Sequence, residues 1–112
     1  ACMVLLDWKA TPSCQTPVSE AAGKKIVTIE GLAQDGRLHP VQEAFLEAEA
    51  FQCGYCTPGM VIAVMGLLDQ HPNPSEAEIA KVLDRNVCRC GTYPRIVRAI
   101  HLAAEKMRAR RG

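Results

Sequence analysis

An excess of charge of one sign and a long hydrophobic run are both missing from this sequence. Its 112 residues contain 13 Lys and Arg against 12 Asp and Glu, so the formal net charge is +1. This near-neutral balance gives no support for binding to nucleic acid. The longest apolar run, Met60 to Leu68, is interrupted by Gly66 and is too short to cross a bilayer, so it predicts a buried core helix and no membrane span.

A signal peptide is also not visible, and we expect a cytoplasmic protein, with the periplasm as the alternative. The 48% hydrophobic content suits one globular domain or two very small ones. The chain begins with Ala-Cys and enters strand-like sequence at once. We therefore expect a fragment of a longer protein.

The first third of the chain has the pattern of short strands. Met3 to Leu6 and Lys9 to Ser13 flank Asp7-Trp8 and predict a hairpin, although Trp8 stands where a tight turn usually prefers Gly. Lys25 to Ile29 is rich in β-branched residues and predicts a further strand. Beyond Gly36 the pattern becomes helical, so the chain divides near residue 36.

Four helices are predicted in the second part, each with a recognisable start signal. They run from Pro40 to about Ala50, from Pro58, with Thr57 as its cap, through Leu68, from the Ser75 and Glu78 capping box to about Leu83, and from Pro94 onward. The predicted fold is therefore mainly α, with a small β piece followed by a four-helix bundle.

Six cysteines in so short a chain indicate a disulfide framework, a metal site or redox chemistry. Disulfides suit small secreted proteins rich in loops, whereas this chain has long helical patterns. A weak internal repeat aligns residues 58–63 with residues 94–99, and a cysteine pair precedes each copy: Cys53 and Cys56, then Cys88 and Cys90. If the two helices are neighbours, the four sulfurs converge where helix N-termini favour an anion.

The residues alone leave the identity of the metal open. Zinc sites commonly use pairs separated by two to four residues, and the Cys88 and Cys90 pair is tighter than that. A [2Fe-2S] cluster needs four thiolates and carries a charge of about −2, which helix N-termini would stabilise. A structural four-cysteine zinc module without redox activity is the alternative, and a degenerate chain without metal is a third hypothesis.

Three segments resemble one protein family. "HPVQEAF", "QCGYCTPGM" and "NVCRCGTYPRI", with 31 residues between Cys56 and Cys88, are similar to the helical domain of the iron–sulfur subunits of molybdenum hydroxylases. That family includes xanthine dehydrogenase, aldehyde oxidoreductases and the isoquinoline 1-oxidoreductase type. The resemblance implies an electron-transfer subunit that relays electrons from a molybdopterin cofactor on a large partner subunit to a flavin (FAD) subunit or a cytochrome acceptor. The chain would not be catalytic alone.

The resemblance also implies roles for individual residues. Cys53, Cys56, Cys88 and Cys90 would be the ligands of one [2Fe-2S] cluster, in a four-helix domain over residues 37–112. Gln52 and Cys90 match positions that the family places against the pterin, although Gln52 could instead cap the local backbone.

Residues 1–36 would then be the C-terminal remnant of a truncated β-grasp, ferredoxin-like domain. Cys2 and Cys14, with eleven residues between them, match the third and fourth ligands of that domain's cluster. The first two ligands would lie upstream of Ala1, so this second site is expected to be incomplete.

Two positions depart from the family pattern, because Trp8 and Arg85 stand where the family usually has Gly. If the backbone there needs a positive φ, each costs about 1 kcal/mol or more unless the loop adopts another turn. The three histidines, His39, His71 and His101, are expected in capping or surface roles rather than as metal ligands.

Overall fold

The computed structural model describes residues 2–111, with side chains as far as Ala109. It is a helix-rich chain with a small three-stranded sheet. The strands are β1 Met3–Leu6, β2 Lys9–Pro12 and β3 Ile26–Val27, and the helices are α1 Val18–Ala21, α2 Pro40–Glu47, α3 Thr57–Gln70, α4 Glu76–Leu83 and α5 Tyr93–Arg111. Single 3-10 turns at Ser13–Gln15 and Ile29–Gly31 complete the chain order. Among residues 2–111, no helix is both long and apolar enough to cross a membrane.

The sheet has the order β2-β1-β3, and both pairings are antiparallel. The predicted hairpin is confirmed, because Met3 pairs with Pro12 and Leu6 with Lys9 across the Asp7-Trp8 turn. Both turn residues have positive φ, +48° at Asp7 and +67° at Trp8, as a two-residue type I′ turn requires. The turn therefore holds Trp8 in a conformation that favours Gly.

Contacts with the segment before β3 hold this strained turn in place. Asp7 N donates to the Lys25 carbonyl at 2.9 Å, and Lys25 N donates to Asp7 Oδ1 at the same distance. The Lys25 ammonium lies 5.6 Å from the centre of the Trp8 ring, a cation–π contact. Arg85 differs, because its φ is not positive and its N–H closes a turn onto the Val82 carbonyl at 3.4 Å. Only the first departure from the family pattern carries backbone strain.

Helix ends follow their sequence signals with small shifts. The capping box of α4 is confirmed, with Ser75 Oγ accepting from Glu78 N at 3.2 Å and Glu78 Oε1 accepting from Ser75 N at 2.8 Å. His39 caps α2 through Nδ1, which accepts from Val41 N at 3.1 Å. Thr57, predicted as a cap, lies inside α3, and Cys56 takes the N-cap position without a side-chain cap bond. The predicted start of α3 was therefore late by one residue.

Helix α2 ends before Ala50, the predicted end, because the chain reverses at Glu49. Glu49 has a φ of +49°, its N–H donates to the Leu46 carbonyl at 3.1 Å, and Ala50 N donates to the Phe45 carbonyl at 3.0 Å. These two bonds form a Schellman motif, in which Gly is the usual residue at the left-handed position. Glu49 therefore terminates the helix in a conformation that costs it free energy.

Helix α3 is the centre of the core. Ten consecutive residues, Gly59 to Leu68, are buried, because β1 and β2 cover one side of the helix while α2 and α4 contact others. At Gly66 the sheet comes so close that an added Cβ would lie 3.0 Å from the Ala10 nitrogen. Leu5 and Leu32 share one hydrophobic cluster with the helices. The division into residues 1–36 and 37–112 as domains stays a prediction.

Candidate metal centre

Two loops carry the four cysteines of the predicted cluster site. Residues 51–56 lead into α3 and residues 86–92 lead into α5. Each loop contains a glycine in the left-handed region, Gly54 with φ +81° and Gly91 with φ +73°. A side chain at either position would be strained, although neither lacks space for a Cβ. The glycines therefore serve the backbone path of each cysteine loop: Gly54 lies between Cys53 and Cys56, and Gly91 follows Cys90.

The side chain of Tyr93 holds the second loop in shape. Its hydroxyl accepts from Cys88 N at 2.7 Å and donates to the Asn86 carbonyl at 3.1 Å. Gly91 N also donates to the Cys88 carbonyl at 3.2 Å. Cys88 itself is buried, so its sulfur has a fixed environment. The Tyr93 hydroxyl thus bonds to the backbone on both sides of Val87.

The two loops meet through the sulfurs of Cys56 and Cys88. The pKa of the Cys88 thiol falls to about 6, first because the Thr92 side chain and backbone hydrogen-bond to it, with further support from the Cys56 thiol and the Cys90 backbone. Burial raises the pKa of Cys56 to about 11, and its hydrogen bond to Cys88 adds to the effect. The opposite shifts fit a hydrogen bond that the Cys56 thiol donates to the Cys88 sulfur.

The other two cysteines lie at the open side of the site. Cys53 is exposed, and Tyr55 N donates to its sulfur at 3.5 Å. Its charge contributes to the raised pKa of Cys56. Cys90 is half-buried and acts on Cys88 through its backbone. The Cys56 and Cys88 thiols thus interact across the two loops, whereas Cys53 acts on Cys56 through its charge and Cys90 acts on Cys88 through its backbone.

The four cysteines are a set of soft thiolates, which suit iron–sulfur clusters and zinc alike. In the described part of the chain no group of three or more His, Cys, Asp or Glu side chains is arranged to hold one metal ion. A [2Fe-2S] cluster needs two thiolates at each iron.

One buried polar atom beside the cysteines, the Thr57 hydroxyl, fits a bound group with sulfur acceptors. Thr57 Oγ1, directly after Cys56, and Asn86 Oδ1, two residues before Cys88, are buried without a hydrogen-bond partner. Leaving a buried hydroxyl unpaired costs about 1–3 kcal/mol. A group that brings sulfur acceptors to this site would give the Thr57 hydroxyl a partner.

Gln52, the predicted pterin contact, is exposed beside Cys53. Across residues 2–109 no hydrogen bond to its side chain is present, so the alternative role as a local backbone cap has no support. Thr92 and Tyr93 are site residues that sequence reasoning missed. The internal repeat gave no signal for Thr92, because Cys56 stands at the equivalent position.

Cys2 and Cys14 form a separate thiol pair at the open end of the hairpin. Their sulfurs are 3.2 Å apart, and Ser13 connects the strands because its N and Oγ both donate to the Cys2 carbonyl. Hydrogen bonds from the backbone and thiol of Cys14 lower the pKa of Cys2, and the same thiol contact raises the pKa of Cys14. The structure brings this predicted pair together, away from the four-cysteine site.

Comparison with known proteins gives a consistent result. The family model described as "[2Fe-2S] binding domain" matches residues 28–101. The chain is 47% identical over 108 residues to one of the subunits of nicotinate dehydrogenase from Pseudomonas putida, covering 96% of this chain and 69% of that protein. It is 44% identical over 106 residues to the alpha subunit of isoquinoline 1-oxidoreductase of Brevundimonas diminuta, covering 95% of this chain and 69% of that protein.

Solved structures agree at the level of the fold. A chain of quinoline 2-oxidoreductase from Pseudomonas putida 86 superposes with a TM-score of 0.86 and 40% identity, over 99% of this chain and 68% of that one. The aldehyde oxidoreductase of Desulfovibrio gigas gives a TM-score of 0.89 and 38% identity, over 97% of this chain and 12% of that one. The hairpin and the helical part are thus matched together.

Proposed function

The chain belongs to the [2Fe-2S] binding domain family of iron–sulfur small subunits from molybdenum hydroxylases, and we propose that Cys53, Cys56, Cys88 and Cys90 bind one such cluster in it. The role of the chain is electron transfer within an oxidoreductase. As a relay subunit it does not transform a substrate alone. The zinc alternative has no support among the relatives.

The observation that carries this assignment is the contact between Cys56 and Cys88. It joins the two cysteine loops through their sulfurs, and Cys88 is the thiol of lower pKa, about 6. A metal ligand must be a thiolate, and the lowered pKa of Cys88 favours that form. Tyr93 holds the loop around Cys88, and the start of α3 follows Cys56 directly. When bound, a [2Fe-2S] cluster supplies one-electron transfer.

Chemical analysis of the protein purified without oxygen tests the assignment. We expect iron and acid-labile sulfide in equal amounts, and loss of both in a variant that lacks Cys56 and Cys88. Zinc bound in stoichiometric amount with no sulfide, after reconstitution with iron and sulfide, would contradict it. A protein that binds neither metal and is unfolded would support the hypothesis of a degenerate chain.

We further propose that a large molybdopterin-binding subunit docks over the exposed face of the first loop. Gln52, Cys53 and Tyr55 are exposed there, and the Tyr55 side chain is 79% exposed. Electrons would enter through Gln52 and Cys90, and a flavin subunit or a cytochrome would accept them. This is supported by the relatives, which are subunits of nicotinate dehydrogenase and isoquinoline 1-oxidoreductase.

The entry route is tested by comparing Cys90→Ser with Cys53→Ser in the complex with the large subunit. Both variants should weaken cluster binding, because each removes one of four thiolates. At equal residual cluster content, Cys90→Ser should in addition slow reduction by the partner. Equal rates in the two variants would show that electrons do not enter through Cys90.

Cys2 and Cys14 complete the proposal as part of a second cluster site in a β-grasp remnant. Four of the six cysteines serve the first site, so this chain supplies two thiolates for the second. Two thiolates do not hold a [2Fe-2S] cluster, which needs four. We therefore expect about two irons for each chain when it is isolated, and about four would contradict an incomplete second site.

A further inference from the structure

We propose that Thr92 raises the reduction potential of the cluster bound by Cys88, through a hydrogen bond from its hydroxyl to the Cys88 sulfur. The proposal rests on the proposed cluster site and assigns a role to a residue outside the ligand set. Thr92 is a tuning residue in this role, and the four cysteines bind the metal without it.

The position of Thr92 is unusual for a polar residue. Among the described residues, Thr92 is the polar residue that is buried, with 4% exposure. A threonine just before a helix ordinarily accepts a hydrogen bond from an N–H of the first turn. Here the side-chain oxygen lies 3.2 Å from Cys88 Sγ instead, and the first-turn N–H groups of Arg95 and Ile96 donate to the Thr92 carbonyl, both at 3.0 Å.

Backbone bonds hold both partners of this contact in position. Because two N–H groups hold the Thr92 carbonyl, the residue is anchored to the start of α5. Because Tyr93 holds Cys88 N, the sulfur is anchored as well. The contact between them is therefore preorganised by both partners. Across residues 2–109 the hydroxyl has no other hydrogen-bond partner.

The chemistry of a ligated thiolate decides which atom donates. A cysteine that binds metal has lost its proton, so the sulfur only accepts, and the Thr92 hydroxyl must donate. Uptake of one electron changes the charge of a four-thiolate cluster from about −2 to about −3. A donor at a ligand sulfur stabilises the more negative state more strongly, and hydrogen bonds to the sulfurs are among the factors that set the potential.

Among the described residues, no other ligand sulfur is bonded to a side-chain hydroxyl. The hydroxyl of Thr57, beside Cys56, has no partner, and Cys53 receives only the long contact from Tyr55 N at 3.5 Å. Cys88 is also the buried cysteine of the set, and a hydrogen bond is electrostatically stronger away from water. Thr92 is therefore the side chain from which we expect the largest effect.

Three variants of the full chain test the proposal. Thr92→Val keeps the branched shape and removes the hydroxyl, Thr92→Ser keeps the hydroxyl, and Thr11→Val is the control because its hydroxyl contacts only the Lys9 carbonyl in β2. Each is titrated with dithionite, which supplies the electron, and the midpoint potential is read from the electron paramagnetic resonance signal. We expect the cluster of Thr92→Val to bind an electron about tenfold less favourably, which is a fall of about 59 mV in midpoint potential. Thr92→Ser and Thr11→Val should have the midpoint potential of the wild type.

Exchangeable deuterium gives a second readout that a purely structural role would not change. After transfer to heavy water, the reduced wild-type cluster should couple to the hydroxyl deuteron of Thr92 in addition to the backbone deuterons near Cys88, and Thr92→Val should lack only the hydroxyl coupling. An unchanged potential in Thr92→Val would overturn the proposal while leaving the cluster assignment intact. If Thr92→Val and Thr92→Ala both fail to bind a cluster that Thr92→Ser binds, the hydroxyl is needed for assembly and the tuning role is wrong. A wild-type chain that binds no cluster refutes the proposed function itself.

Discussion

Replacing Tyr93 with Phe should weaken cluster binding although Tyr93 contacts no sulfur. The substitution removes only the hydroxyl, which now accepts from Cys88 N at 2.7 Å and donates to the Asn86 carbonyl at 3.1 Å. Both backbone groups would lose their partner in a partly buried loop. The aromatic ring stays, so packing at the start of α5 is preserved.

The size of the effect follows from these two bonds. A neutral hydrogen bond contributes about 1 kcal/mol net, so the pair contributes about 2 kcal/mol. Because 1.4 kcal/mol corresponds to a factor of ten, the ligand arrangement at Cys88 should be about 30-fold less favourable. This value falls within the range of about 10 to 100-fold known for residues that support metal ligands.

Competition with an iron chelator measures the loss, followed by the decay of the visible absorption of the cluster. Tyr55→Phe is the matched control, because Tyr55 lies between two cysteines of the first loop but is 79% exposed, and across residues 2–109 its hydroxyl has no partner. We expect Tyr55→Phe to retain the cluster as the wild type does. Equal retention in Tyr93→Phe and the wild type, or equal loss in both variants, would refute the reasoning.

Three further predictions concern the rest of the chain. Glu49→Gly should raise the free energy of unfolding by about 0.5–1 kcal/mol, because Glu49 has a φ of +49° at the end of α2. Glu47→Gly, at the last residue of α2, should lower it, because this change puts Gly in the helix and removes the ion pair with Lys106. Both are measured by urea denaturation at equal cluster content. Hydrogen bonds from the Ser75 backbone and side chain lower the pKa of Glu78 below its usual value of 4.5. The ionised Glu78 therefore contributes its full share of folding stability above pH 4.5, and this share is lost as the pH falls through the lower pKa of the folded state. Glu78→Gln keeps an acceptor oxygen without titrating, so its thermal unfolding should depend less on pH in this acid range, and identical curves would contradict this. Finally, Cys2 and Cys14, with sulfurs 3.2 Å apart, should close a disulfide with oxidised glutathione, which is reduced to two thiols, and mass spectrometry should show the loss of two hydrogens in the wild type but not in Cys14→Ser.

Local signals explain why most of the fold was predictable. Proline and capping residues at Pro40, Ser75 and Pro94 mark helix starts because they act within one turn of the chain. The hairpin was predictable for the same reason, since strand alternation and turn both lie within residues 3–12. The end of α2 was missed, because Glu is not a residue that usually adopts the left-handed conformation.

The candidate site was likewise predictable in part from the sequence. The spacing of the cysteines, the helix starts that follow them and the family motifs are properties of the sequence, and they sufficed to predict four ligands and a [2Fe-2S] site. The tertiary structure decided which groups act on those sulfurs: Cys56 meets Cys88, Thr92 bonds to the buried sulfur, and Tyr93 holds its loop. A cysteine motif specifies the type of ligand, whereas the hydrogen bonds and burial around each sulfur depend on how two loops, more than thirty residues apart in the chain, come together in space.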